Sequence, residues 1–195
     1  MEQKEKEKPK AGDARPGVNG KKALRIGFWV VLAIAAVVIL RSVLDNGGSS
    51  DKASMGAPEI VSVEELRDDD AAQGSPIYWA GVQEGTELEL SRPEEGRTYV
   101  RYLPEGTAVG DESNQFLSVG TYVYPEAAKA LRELGKQPGG IIAASPNGGV
   151  VYFNRNQPEN VYLAFPGSDL QIEVYDPNPK RSLGLVASGQ VVPIG

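Results

Sequence analysis

From position 77 onward, short runs of apolar or alternating residues are separated by glycine-containing turns, a pattern that predicts strands rather than long helices. Such runs fall at 77–80, 86–92, 97–103, 116–124, 140–144, 149–154, 161–165 and 170–175. Asn147-Gly148 between two of them is a hairpin signal. Helix signals punctuate the strands. Ser62 followed three residues later by Glu65 is a capping box, and the helix it opens is expected to end before Gly74 and Pro76. A second helix is expected over 125–135, with Pro125 at its first position, an apolar Leu131/Leu134 pair and a closing Gly135. A third is expected to run from Pro179 to Gly189, followed by a final strand over 190–194. The fold class this implies is α+β, a mostly antiparallel sheet with two or three short helices.

Before the domain the pattern changes. Positions 26–40 read IGFWVVLAIAAVVIL, without a charge and without a polar side at helical spacing. This is about 22 Å of helix, short of a hydrocarbon core of about 30 Å. The longer segment between Leu24 and Leu44 reaches that length, and Arg25 and Arg41 can extend their stems toward the two interfaces. A transmembrane helix is therefore expected to precede the α+β domain. A cleaved signal peptide is the alternative, but Arg41-Ser-Val-Leu-Asp follows the apolar run, and small residues suited to cleavage come only near 53–57. The expected organisation is a disordered basic tail over 1–22, an anchor over 23–44, a flexible Gly/Ser linker over 45–57 and one domain over 58–195.

Charge sets the orientation. The first 25 residues hold eight basic and four acidic groups, leaving 12 basic and 22 acidic for the rest, a net −10 there within a total of −6. Basic residues before an anchor stay in the cytoplasm, so the expected location is the cell membrane, single-pass, with the C-terminal domain outside. An acidic domain has no electrostatic footprint for a phosphate backbone, and no nucleic-acid partner is expected.

The chain contains neither Cys nor His. Ser-His-Asp and Cys-His catalysis are excluded, the commonest transition-metal ligands are missing, and no lipid can be attached through a thiol. No nucleotide motif occurs in the glycine-rich stretches, and no cofactor is expected. Paired carboxylates are the one catalytic scheme left. Glu87, Glu89, Glu173 and Asp176 are its candidates, although Glu87 and Glu89 alternate with Leu88 and Leu90 as the solvated side of a half-buried strand would. The oxygen-rich runs Asp68-Asp69-Asp70 and Gly110-Asp-Glu-Ser-Asn114 lack calcium-loop spacing and are most simply surface.

Aromatic residues lie mainly on the expected strands: Tyr78, Trp79, Tyr99, Tyr102, Tyr122, Tyr124, Tyr152 and Tyr162. Aromatics at strand positions most often fill a core. A candidate binding surface is nonetheless Tyr78, Trp79, Arg101 and Tyr102, where rings beside a guanidinium would stack on wall sugar or a partner protein. Ile77-Tyr-Trp-Ala with Gly85-Thr-Glu-Leu-Glu-Leu also echoes Val161-Tyr-Leu-Ala with Gly167-Ser-Asp-Leu-Gln-Ile, as a duplicated unit would. The functional expectation is a membrane-tethered, non-enzymatic domain outside the cell that binds a protein or envelope polymer. Two alternatives stand beside it: a carboxylate-based glycan hydrolase or transglycosylase, and a structural protein that self-associates through a sheet edge.

Overall fold

The structure is a computed structural model that describes residues 56–73, 75–93 and 96–195. The unit containing them spans 51–195. The expected tail and anchor, and most of the expected linker, lie outside the described residues. Among the described residues no helix is long and apolar enough to cross a membrane.

The described chain is α+β, with three helices and a mostly antiparallel sheet. In chain order the elements are β1 (Glu59–Val61), α1 (Val63–Gln73), β2 (Tyr78–Trp79), β3 (Thr86–Ser91), β4 (Arg97–Pro104), β5 (Ser118–Val123), α2 (Ala127–Leu134), β6 (Gly140–Ala144), β7 (Val150–Asn154), β8 (Gln157–Ala164), β9 (Leu170–Tyr175), α3 (Pro179–Ala187) and β10 (Val192–Pro193). Eight strands form one sheet in the order β1-β3-β4-β5-β9-β8-β7-β6, and β10 pairs with β2 in a separate ribbon.

Strand alternation decides which side of the sheet each residue takes. One register line runs Leu90, Val100, Val119, Val174, Val161, Phe153 and Ile141; its neighbour runs Leu88, Tyr102 on β3 and β4. These side chains form the inner face, where Leu66 of α1, Leu185 and Val186 of α3, and Ile77, Tyr78, Trp79 and Ala80 join them in the main core. The ribbon is fastened by polar bonds as well: Tyr78 N–H donates to Thr121 Oγ1 (3.1 Å), and Ala80 N–H donates to the Tyr102 hydroxyl (2.7 Å). A buried amide without such an acceptor would cost about 1–3 kcal/mol.

Local signals hold at the helix ends. The Ser62/Glu65 capping box closes in both directions, at 2.7 and 3.2 Å. Asn178 caps α3 by accepting from Lys180 N–H, and Gly189 follows its end in the left-handed region at φ 74°. At α2 the expectation needs correcting, because the helix starts at Ala127 and Pro125 lies outside it. Glu126 takes φ 53°, and its N–H is held by Asp169 Oδ1 from the β8–β9 turn. A long-range acceptor, not a local cap, fixes where this helix begins.

The echo does not correspond to two copies of one unit. Both turn glycines are left-handed, Gly85 at 72° and Gly167 at 82°, and both lead into strands with Leu and Ile on the inner face. However, β2 leaves the main sheet while β8 pairs with β9, and Arg97 opens a strand while Arg181 lies in α3.

Candidate binding face

The opposite, outer face of the sheet is covered unevenly. Over β7 and β8 lies α2, whose Ala127, Ala128 and Leu131 form a second, smaller core with Val150, Tyr152 and Ala164. Two alanines at the contact let the helix backbone approach the sheet closely. At the far corner the 105–117 segment folds back. Its Gly110 N–H donates to Glu89 Oε2 (2.6 Å), its Asp111 carbonyl accepts from Arg101, and its Asn114 carbonyl accepts from the Tyr175 hydroxyl (2.8 Å).

Between these two covers the register places Tyr99, Gly120, Glu173 and Tyr162 in one row across β4, β5, β9 and β8, and Arg97, Tyr122 and Gln171 in the next. Tyr99, Glu173, Tyr162, Arg97 and Tyr122 are half-buried, neither sealed nor fully in solvent, while Gly120 and Gln171 are buried. Gly120 is there for space: a Cβ at this position would meet the Tyr99 ring at 2.8 Å, so the tyrosine ring occupies the room a side chain on β5 would take. The row is wired together. Tyr162 hydroxyl donates to Glu173 Oε1 (3.2 Å), Gln171 Nε2 donates to the Tyr122 hydroxyl (2.5 Å), and the Arg97 guanidinium sits 5.5 Å from the centre of the Tyr122 ring.

Burial raises the Glu173 carboxyl above the usual carboxylate range, opposed by the Tyr162 hydrogen bond and by the positive charge of Arg97. Burial also pushes the Tyr122 and Tyr162 hydroxyls up, with the Glu173 carboxylate adding to it. An acid with a raised folded pKa binds its proton more tightly in the native state than in the unfolded one. Its contribution therefore favours the fold at acid pH, declines as pH rises from the ordinary carboxylate pKa to the folded one, and is level above that. Glu173→Gln is expected to raise the melting temperature at pH 7 relative to the unsubstituted chain, with the gap closing toward pH 4. Thermal melts at both pH values check this, and a pH-independent gap would contradict it.

The structure does not bring Tyr78, Trp79, Arg101 and Tyr102 together on one surface. Tyr78, Trp79 and Tyr102 are 8%, 9% and 2% exposed and belong to the inner core, where Tyr78 stacks with Phe165 at 6.1 Å. Arg101 is on the outer face, because adjacent strand residues point to opposite sides. There it binds Glu89 Oε1 (2.8 Å) and lies 5.4 Å from the Phe116 ring centre.

The four candidate acids do not converge either. Glu89, expected on a solvated side, is fully buried, because the 105–117 segment covers it and Arg101 supplies the countercharge. Asp176 is buried beside α3, accepting from Asn178 N–H (2.7 Å) and Arg181 Nη1 (3.2 Å). Glu173 is three strands away from Glu89, about 14 Å between backbones. Glu87 is exposed and opens on a groove of about 380 Å³ between β1, α1 and the turn before β3, together with Glu65. The Glu65 carboxyl is lowered by its hydrogen bonds to Ser62, the opposite of what a general acid needs.

In the two oxygen-rich runs, Asp69 pairs with Arg92, Asp70 accepts from Ile77 N–H, and Asp111 accepts from Ser113 N–H. Among the described residues no group of three or more acidic residues is placed to hold a metal ion. Tyr99, Tyr122 and Tyr162 stand among the strand aromatics of the sequence, but no motif joins them. Their signal was parity: each sits beside a core position, Val100, Thr121 or Val161, and a glycine interrupts the middle strand.

Fold and face together define the class: an α+β domain on an eight-stranded antiparallel sheet whose outer side carries a half-open, tyrosine-lined polar strip. No protein-family model, curated protein or solved structure matches the chain.

Proposed function

We propose that this chain is held in the cell membrane by the segment between Leu24 and Leu44, tail inside and domain outside, and that the domain binds an envelope polymer without chemically altering it. The anchor part rests on the apolar run and on the basic excess that precedes it. The binding part rests on one observation, the strip of Tyr99, Tyr122, Tyr162, Arg97, Gln171 and Glu173 left between α2 and the 105–117 segment. Ring faces with polar tips, a guanidinium donor and a carboxyl acceptor suit a chain of sugar rings bearing hydroxyls and amides. A protein partner, the other expected class, would also use tyrosine and arginine anchors, but a standard protein interface needs about 800 Å² on each side, and a narrow strip between two covers suits a polymer chain better. The carboxylate-hydrolase alternative is disfavoured by the separation of the acids, two of which are each committed to an arginine.

The test uses the full-length chain in detergent micelles and isolated wall polymer, with retention measured by co-sedimentation. Tyr99→Ala is expected to weaken retention about tenfold, the loss of one stacking contact, and Glu87→Gln to leave it unchanged. Retention unaffected by Tyr99→Ala and Arg97→Ala would rule the strip out as the site. Release of soluble fragments from the polymer, abolished by Glu173→Gln, would replace binding with hydrolysis.

A further inference from the structure

Among the described residues the strand β6 ends the sheet beyond β7, and its sequence Gly-Ile-Ile-Ala-Ala carries no charge. No charged residue occurs anywhere between Lys136 and Arg155, in a chain whose charged fraction is 24%. Open edges are usually guarded by shortness, proline or charge, since unpaired backbone groups invite another strand. The other edge is guarded: β1 has three residues, begins with Glu59 and follows Pro58. On β6, by contrast, Ile142 is 41% exposed, and Ala143 and Ala144 are exposed beside it.

The direction of its backbone groups can be read from the ends of the hairpin. Ser145 N–H donates to Gly149 O, and Arg155 N–H donates to Gly139 O. Odd positions therefore face β7. In an antiparallel ladder this alternates along the strand, so the N–H and C=O groups of Ile142 and Ala144, with the C=O of Gly140, point out of the edge. The Gly140 N–H is already bound to Gln137 O (2.9 Å).

We infer that β6 pairs antiparallel with β6 of a second copy of this chain, across a two-fold axis at Ile142. In this register each Ile142 exchanges N–H···O bonds with its mate, and each Ala144 N–H meets a Gly140 carbonyl. Small Gly140 and Ala144 lie opposite each other, so the two Ile142 side chains can pack. Charge selects a second copy as the occupant. Beyond residue 25 the chain carries −10, so two copies repel wherever acidic surfaces meet, and the uncharged edge is the seam where they approach without like charges. A five-residue seam is smaller than the roughly 1,200 Å² of a stable interface, so the pairing depends on protein concentration.

The absence of cysteine makes a cross-linking test clean. In this register the two 142 positions have Cα atoms about 5.5 Å apart, within disulfide range. The two 144 positions are four residues apart along the seam, about 14 Å. In the full-length chain in micelles, Ile142→Cys is expected to form a covalent dimer under mild oxidation at least tenfold faster than Ala144→Cys or Ile60→Cys. Equal rates at the three positions, or none, would overturn the pairing. Sedimentation of the chain without introduced cysteine gives an independent readout: a dimer appears at high concentration, and Ala144→Lys raises its dissociation constant at least tenfold. A chain that stays monomeric, or a dimer indifferent to Ala144→Lys, would also overturn it.

Discussion

Replacing Arg101 with alanine is expected to destabilise the domain by about 3–5 kcal/mol, the usual cost of removing one partner from a buried ion pair. Glu89 is fully buried, and its two oxygens have distinct partners: the Arg101 guanidinium on Oε1 and the Gly110 amide on Oε2. Without Arg101 the carboxylate keeps one neutral donor and no countercharge. The same guanidinium also binds the Asp111 carbonyl and packs on Phe116, so its loss leaves the 105–117 segment held to the sheet by Gly110 on Glu89 and Tyr175 on Asn114 alone among these contacts. The melting temperature should fall by on the order of 10 °C. The double substitution Glu89→Met with Arg101→Met separates charge from packing. Apolar residues of similar volume remove the uncompensated charge, and most of the lost stability should return. A single variant as stable as the unsubstituted chain, or a double variant worse than the single, would show that the pair does not hold this corner.

The elements that could be read from sequence are those set by local chemistry. The Ser62/Glu65 box, Asn178 before Pro179, and Gly148 between β6 and β7 act within a few residues, and the structure uses each of them. Two features that differ from the sequence expectation depend on distant partners. Pro125 looked like a helix start until Asp169, over forty residues away in sequence, took the Glu126 amide. Glu89 looked solvated because alternation assigns it to the side opposite Leu88 and Leu90, which is correct, but alternation does not say whether a later segment will cover that side.

One strand and the first half of another were not expected, for related reasons. At three residues, β1 has too few positions to show a period. The start of β8, Gln157-Pro158-Glu159-Asn160, is polar and contains a proline, tolerated here because the register with β7 shifts between Phe153 and Asn154. The tyrosine strip was illegible for a third reason. Its members come from β4, β5, β8 and β9, and only the non-sequential β5–β9 pairing sets Tyr122 beside Gln171 and brings β4 and β5 against the β8–β9 hairpin that already holds Glu173 beside Tyr162. The sheet order, not any motif, assembles the face.

Leu131→Ala is the second large effect, expected to cost about 2–5 kcal/mol, as burying a cavity in place of a large aliphatic side chain usually does. Leu131 is completely buried and is the large buried side chain that α2 contributes to the small core, its neighbours Ala127 and Ala128 having little to contribute. The helix has few other attachments. Its N-terminus hangs on Asp169, and Gly135 at its end meets Ile142 so closely that a Cβ would lie 2.1 Å from that side chain. The Lys129–Glu126 and Lys136–Glu133 pairs are exposed and add little. A cavity at Leu131 should therefore loosen α2 before it unfolds the inner core, which holds the opposite side of the sheet. Hydrogen exchange is expected to show protection lost first over 127–134 and over Val150, Tyr152 and Ala164 on the strands beneath, while Val100, Val119 and Ile172 stay protected. Because α2 forms one border of the tyrosine strip and its core includes Tyr152, whose ring lies 5.9 Å from that of Tyr162, polymer retention should weaken in the same variant. Uniform loss of protection across both cores would mean instead that the helix and the sheet unfold as one unit.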